Sequence, residues 1–201
     1  MLFILLQKVV PQHLLSRLVG WVAASETTWV KKAFIHWAID RYHVDLTEAA
    51  EPNPDAYPSF NAFFTRALKS DARPIDGPLC SPADGMVSEC GAIRSGQILQ
   101  AKGIDYSLTD TFSTIYLSPK DYHRVHCPMA GQLLRARYVP GKLFSVNQQT
   151  ANHIPELFAV NERLVMEFES EQGSFCLIMV GAMIVAGIQS VWRESPYPPG
   201  Q

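Results

Sequence analysis

The chain has 201 residues, 47% of them hydrophobic and 18% charged, and a net charge of −2 at neutral pH. That is enough for one sizeable core with a small helical appendage, and it excludes a disordered chain. The near-zero charge gives no signal for nucleic acid, and four cysteines (Cys80, Cys90, Cys127, Cys176) without a CxxC pair read as free thiols of a reducing compartment.

Residues 1–45 read as two helices. Beyond Pro11, Leu14, Leu15, Leu18, Val19 and Val22 recur at helical spacing. Thr27 and Thr28 are possible caps of a second helix, whose apolar stripe is Val30, Ala33, Phe34, Trp37 and Ala38. Lys31, Lys32, His36, Asp40 and Arg41 occupy its other face. The apolar run at 1–6 is interrupted by Gln7 and Lys8 too early to span a membrane, and nothing around it reads as a secretory signal. Residues 1–43 carry five Lys or Arg against Glu26 and Asp40. Two readings stand: amphipathic helices docked on their own domain, or helices lying at an anionic membrane surface. In the second, Lys8, Arg17, Lys31 and Lys32 would each add about 1 kcal/mol near anionic lipid.

Residues 46–78 form a proline-punctuated connector enclosing one helix. Ser59 is its N-cap, Phe60, Phe63, Phe64, Ala67 and Leu68 share a face, and Arg66 sits on the rim. From residue 79 the pattern turns to strands at 86–93, 97–102, 111–117, 132–139, 164–168, 175–180 and 183–192, with a hairpin turn at Glu171-Gln172-Gly173. The expected fold class is therefore α+β. The N-terminal amphipathic helices (1–45) and the helical connector (46–78) precede a compact β-rich core (79–192) and an irregular tail (193–201).

The densest chemistry lies in Tyr116-Leu-Ser-Pro-Lys-Asp-Tyr-His-Arg-Val-His126, which sets His123 and His126 three residues apart. Histidine titrates nearest neutrality, and a carboxylate reaching one ring nitrogen would fix its tautomer. Asp84, in Ser81-Pro-Ala-Asp-Gly85, offers that carboxylate if the fold brings the segments together; its commoner use is to cap its own turn. If the histidine segment is a strand, the two rings point to opposite faces and do different work. Zinc binding is disfavoured, because the spacing is not i, i+4 and Arg124 intervenes. Lys102, before Gly103, could form a Schiff base but reads more simply as a solvated strand end. The stretch from Val139 to Asn147, with Phe144 and Ser145, reads as a loop able to close over a ligand.

The combination Phe63-Phe-Thr-Arg66, Arg73-Pro-Ile75, Ser81-Pro-Ala-Asp-Gly85, Leu99-Gln-Ala-Lys-Gly103, Tyr116 to His126, Val139 to Asn147, Asn161-Glu-Arg163 and Val180-Gly-Ala182 resembles the pyruvoyl-dependent phosphatidylserine decarboxylases, in particular the longer, membrane-associated bacterial type. The resemblance implies decarboxylation of phosphatidylserine to phosphatidylethanolamine, through a Schiff base to a pyruvoyl group that the proenzyme makes from one of its own serines. It implies that Asp84 and His126 activate that serine for self-cleavage and that His123 lies near the pyruvoyl during turnover. Phe144 and Ser145 are candidate substrate contacts, and no metal is implied. The family's Leu-Gly-Ser cleavage motif is not in this sequence, and Ser174 lacks its context. The chain is thus expected to be most of a β chain, inactive alone, partnered by an α chain carrying the pyruvoyl. The stretch between Ser107 and Thr114 is shorter than the family's, by deletion or by omission of a loop. The expected setting is the cytoplasmic side of the inner membrane, held peripherally; a homodimer of αβ units is left open. The competing readings are a non-catalytic lipid-binding module and a zinc hydrolase using His123 and His126.

Overall fold

The computed structural model describes residues 2–93, 111–185 and 187–193 and has the expected α+β fold. Helices α1 (Leu2–Val9), α2 (Gln12–Ala23) and α3 (Thr28–Tyr42) lead to a short α4 (Phe60–Phe64). Strands β1 (Met86–Ala92), β2 (Thr111–Tyr116) and β3 (Gln132–Val139) come next, then the single turns α5 (Gln148–Ala151) and α6 (Leu157–Val160), and finally β4 (Arg163–Ser170) and β5 (Gly173–Val180). The first 45 residues therefore hold three helices, not two, because the apolar run before Pro11 is itself helical. The expected strand at 97–102, the Lys102-Gly103 pair, most of the short stretch before Thr111 and most of the tail lie outside the described residues.

The chain makes two compact units, each from separate stretches: residues 1–19, 92–110 and 131–201 in one, 20–91 and 111–130 in the other. In the first, β3, β4 and β5 form an antiparallel sheet with β4 central. Leu164, Met166 and Phe168 alternate along β4 and are buried, and Phe168 stacks on Phe175 at 4.9 Å across the β4–β5 hairpin. Among the described residues, no strand runs through the expected span 183–192. The backbone turns instead, with Ala182 N–H bonded to the Val185 carbonyl and left-handed φ values at Ile184 (73°) and Gly187 (94°).

Asn161 and Glu162, both fully buried, tie this unit together. The Asn161 amide accepts from Phe144 N–H and donates to the carbonyls of Phe144 and Gly181. Glu162 accepts from the Tyr138 hydroxyl at 2.7 Å; burial pushes its carboxyl above the usual range, and the Tyr138 bond opposes that. Gly181 is required here, since a Cβ would lie 2.8 Å from the Glu162 side chain.

The start of the chain docks on this unit by its polar residues. Gln7 and Gln12, both buried, accept the backbone N–H groups of Ser145 and Leu143 at 2.8 Å. Buried Ser16 accepts the N–H of Ile184, and His13 Nε2 donates to the Gly141 carbonyl. The apolar positions face outward: Leu5, Leu6, Val9, Leu14, Leu18 and Trp21 are exposed, Val9 by 84% and Trp21 by 78%. This inverts the usual arrangement of an amphipathic helix on a soluble core.

In the second unit, α3 buries Ile35 and Ala38 against Val44, Tyr57 and Phe63. The predicted stripe is thus largely not the packed one. Only Ala38 of it is buried; Val30, Ala33, Phe34 and Trp37 join Val22 and Trp29 in lining an open apolar groove. Lys31 donates to the Tyr57 carbonyl, and Lys32 and His36 engage Asp55, holding its carboxyl below the usual range. Thr27 stands at the N-cap of α3 but makes no side-chain cap bond; the Ser25 hydroxyl takes its N–H instead. Ser59 caps α4 as expected, accepting from Ala62 N–H. Among the described residues β1 pairs only with β2, and all residues of β1 are exposed.

Phe63 is 1% exposed and central to its core. Phe63→Ala should cost about 3–5 kcal/mol of unfolding free energy. Trp29→Ser, on the open face, should change it by no more than about 0.5 kcal/mol. Denaturant titration of the two variants checks both, and equal losses would contradict this assignment of packed and open faces.

Candidate active site

The site grows from a short backbone pairing within the second unit. Cys80 N–H bonds the Pro128 carbonyl and His126 N–H bonds the Pro82 carbonyl, each at 2.8 Å. This antiparallel register lays Ser81-Pro-Ala-Asp-Gly85 beside Val125-His-Cys-Pro128, so the two segments singled out in the sequence are neighbours. Gly85 completes the approach: its φ is +144°, and a Cβ would collide with the Tyr116 carbonyl oxygen at the end of β2.

The side chains of Asp84 and His126 are nonetheless held by other partners. Arg73 Nε lies 3.1 Å from both Asp84 oxygens, and Arg73 Nη2 lies 2.6 Å from Oδ2. The same Nη2 reaches Glu48 at 2.8 Å, and Arg73 holds the Glu48 carboxyl below its usual range. His126 is exposed; its Nε2 shares a 3.1 Å hydrogen bond with the Tyr122 hydroxyl, and the two rings stack at 5.7 Å.

His123 has a different environment, although its segment is not a strand. Ser118-Pro-Lys-Asp121 forms a turn in which Asp121 N–H bonds the Ser118 carbonyl and the Asp121 carboxylate accepts Ser118 N–H at 2.7 Å. The turn presents the Asp121 carbonyl to His123 Nδ1 at 2.8 Å. A carbonyl only accepts, so Nδ1 carries the proton and Nε2 keeps its lone pair. Burial pushes the imidazole below its ordinary value, with the Asp121 carbonyl opposing, so His123 is neutral near pH 7.

Phe63-Phe-Thr-Arg66, at the end of α4, is the platform beneath this loop. The Phe64 ring lies 3.9 Å from the His123 ring, and the Thr65 carbonyl accepts from Arg124 Nε at 2.8 Å. Arg66 Nη2 donates to the Lys120 carbonyl, and its guanidinium sits over the Phe63 ring. Arg66 is therefore 4% exposed and not on a rim, and burial lowers its pKa. The sequence showed the motif, but its reading as core packing concealed this role. Arg73 was visible only as part of Arg73-Pro-Ile75, and its carboxylate partners lie 11 and 25 residues away.

Phe144 and Ser145 belong to the other unit. Phe144 is buried with Ile154 and Leu157; the Ser145 hydroxyl bonds Thr150 at 2.7 Å and its N–H bonds Gln7. Among the described residues, no three His, Cys, Asp or Glu side chains gather as metal ligands would.

Comparison with known proteins points the same way. Residues 60–201 match the family described as Phosphatidylserine decarboxylase, and residues 2–43 match one described as PSD. A phosphatidylserine decarboxylase proenzyme of Alcanivorax borkumensis is 54% identical over 216 residues, covering 98% of this chain and 74% of its own length. Proenzymes of the same name from Pseudomonas fluorescens and Ectopseudomonas mendocina are 51% and 50% identical, again over 98% of this chain and over 75% and 76% of their own lengths.

The lowered pKa of His123 carries a sign for stability. The unfolded chain takes up a proton near the ordinary value of 6.5 and the folded one only at lower pH. The contribution is therefore complete above about pH 6.5 and is lost as pH falls from there through the folded value. Phe64→Ala should uncover the ring and move its titration upward, followed by imidazole NMR shifts against pH. An unmoved titration would show that Phe64 does not set the burial of His123.

Proposed function

The chain belongs to the phosphatidylserine decarboxylase family, and from that premise we propose that it decarboxylates phosphatidylserine to phosphatidylethanolamine, a step of phospholipid biosynthesis. The observation that carries the residue assignment is the pairing of Pro82 with His126, which sets Asp84 and His126 on adjoining segments. A pyruvoyl group, made from a precursor serine and carried on a partner α chain, supplies the electron sink for loss of CO2. The residues present fit that chemistry, since the carbon that loses CO2 must be reprotonated, and the neutral His123 imidazole, its Nε2 lone pair uncommitted, can relay a proton taken from solvent.

Asp84 and His126 serve maturation. A serine hydroxyl is a weak nucleophile until a base removes its proton, and the base works in the tautomer its carboxylate selects. His126 is the exposed imidazole suited to that step. His123 serves turnover: with Nδ1–H committed to Asp121, Nε2 can take up a proton and return it to the carbon that has lost its carboxylate.

The same reading places the protein peripherally on a membrane, at its cytoplasmic face. No helix of the described residues is long and apolar enough to cross a bilayer. The outward apolar residues of α1 and α2 instead suit a helix lying in the interface, close to a lipid substrate. Four free cysteines suit a reducing compartment. Lys31 and Lys32 are engaged by the Tyr57 carbonyl and Asp55, which leaves most of the attraction to apolar contact.

In the full-length proenzyme, His126→Ala and Asp84→Asn should leave the precursor largely uncleaved, whereas His123→Ala should give two chains with little decarboxylation. Gel analysis and CO2 release measure the two steps. Normal cleavage in the first pair, or normal turnover in the third, would refute the respective role.

Replacing Leu14, Leu18 and Trp21 together by glutamine should release the protein from phosphatidylserine vesicles without unfolding it. Lys31→Gln with Lys32→Gln should weaken co-sedimentation much less. Full retention of the triple variant on vesicles would exclude this face as the membrane contact.

A further inference from the structure

We propose that Arg73 is a positioning residue of the maturation chemistry: it holds the carboxylate of Asp84 in the plane from which His126 can be oriented, and Glu48 anchors it. This rests on the assignment of Asp84 and His126 to self-cleavage. Arg73 is itself held at both ends. Its backbone follows a turn closed by Ala72 N–H on the Lys69 carbonyl, and Lys69 N–H bonds the Glu48 carbonyl, so Glu48 and Arg73 are fixed near each other. Pro74 keeps Arg73 extended and ends the turn. Its Nη1 donates to the Ala72 carbonyl at 2.6 Å, and Nη2 divides between Glu48 and Asp84.

Asp84 needs such a holder. It sits in a turn before a glycine of positive φ, where an aspartate readily folds back on its own backbone. A planar guanidinium approaching through Nε and Nη2 fixes the rotation of the carboxylate as well as its place, which a single ammonium cannot do. Arg73 directs its donors mainly at Oδ2, and Oδ1 keeps acceptor capacity for an imidazole N–H. The ion pair is partly exposed, with side-chain exposures of 45% for Arg73 and 29% for Asp84. Its net stabilisation is accordingly small, and orientation is its larger effect.

The test uses the full-length proenzyme and the rate of self-cleavage. Arg73→Gln should slow cleavage by about 10- to 100-fold, Glu48→Gln should slow it less, and Arg73→Lys should fall between Arg73→Gln and the unaltered protein. Adding millimolar guanidinium to Arg73→Ala should restore part of the rate, which it would not do if Arg73 only clips two loops together. Asp84→Asn is the control for the underlying reading: if it cleaves normally, that assignment falls and this inference with it. If Asp84→Asn is blocked but Arg73→Gln cleaves at the normal rate, Arg73 alone is overturned. If Arg73→Gln is slow but neither lysine nor guanidinium recovers any rate, its role is structural and the inference fails.

Discussion

Two backbone hydrogen bonds, Cys80 to Pro128 and His126 to Pro82, are the constraint on which the site depends. They join a turn before β1 to a loop after β2, more than 40 residues apart in sequence. With that register set, His126 donates one of the two bonds and Asp84 falls two residues beyond Pro82, the acceptor of that same bond. The prolines at 82 and 128 suit the pairing, because each contributes only its carbonyl. The pairing also explains Gly85, since the chain must pass against the Tyr116 carbonyl to enter β1.

Around this frame, the polar groups fix orientation more than they add stability. The Asp55 cluster with Lys32 and His36, and the Arg73 cluster with Glu48 and Asp84, are both solvent-accessible and weak as sources of folding energy. The apolar contribution lies elsewhere, in Ile35, Phe63 and their neighbours and in the inner face of β4. The site loop from Ser118 to His126 has little core of its own. It is shaped by the Ser118–Asp121 turn and by what the end of α4 offers it: a ring, a carbonyl and a guanidinium.

Features encoded within a few residues were legible in the sequence. The helix beyond Pro11, the Ser59 cap, the strand at 132–139 and the hairpin around Glu171-Gln172 all follow from local period or turn chemistry. The segment holding His123 and His126 stood out by its density of polar groups, and Asp84 as an acidic residue among turn formers. What escaped depends on partners far along the chain. Arg66 looked peripheral because an arginine beside phenylalanines usually is, and only the distant Lys120 carbonyl draws it inward. The stripe on α3 was misassigned because apolar residues occur around much of that helix, so periodicity alone could not select Ile35 over Trp37. The stretch expected as a strand at 183–192 had the right composition, yet among the described residues Ile184 and Gly187 both take left-handed φ values, which an extended strand does not.

The inverted docking of α1 and α2 changes where this chain stores its information. In an ordinary amphipathic helix the inward residues ask mainly for greasiness and volume, and the outward ones for solubility. Here the inward positions, Gln7, Gln12 and Ser16, each meet a particular backbone amide, so length and acceptor geometry both matter. The outward positions ask for little more than an apolar character, and leucine, valine or tryptophan are interchangeable there to a first approximation. Mutational tolerance should thus run opposite to hydropathy along the first two helices. A water-soluble redesign would begin at the largest hydrophobic residues and leave the glutamines untouched.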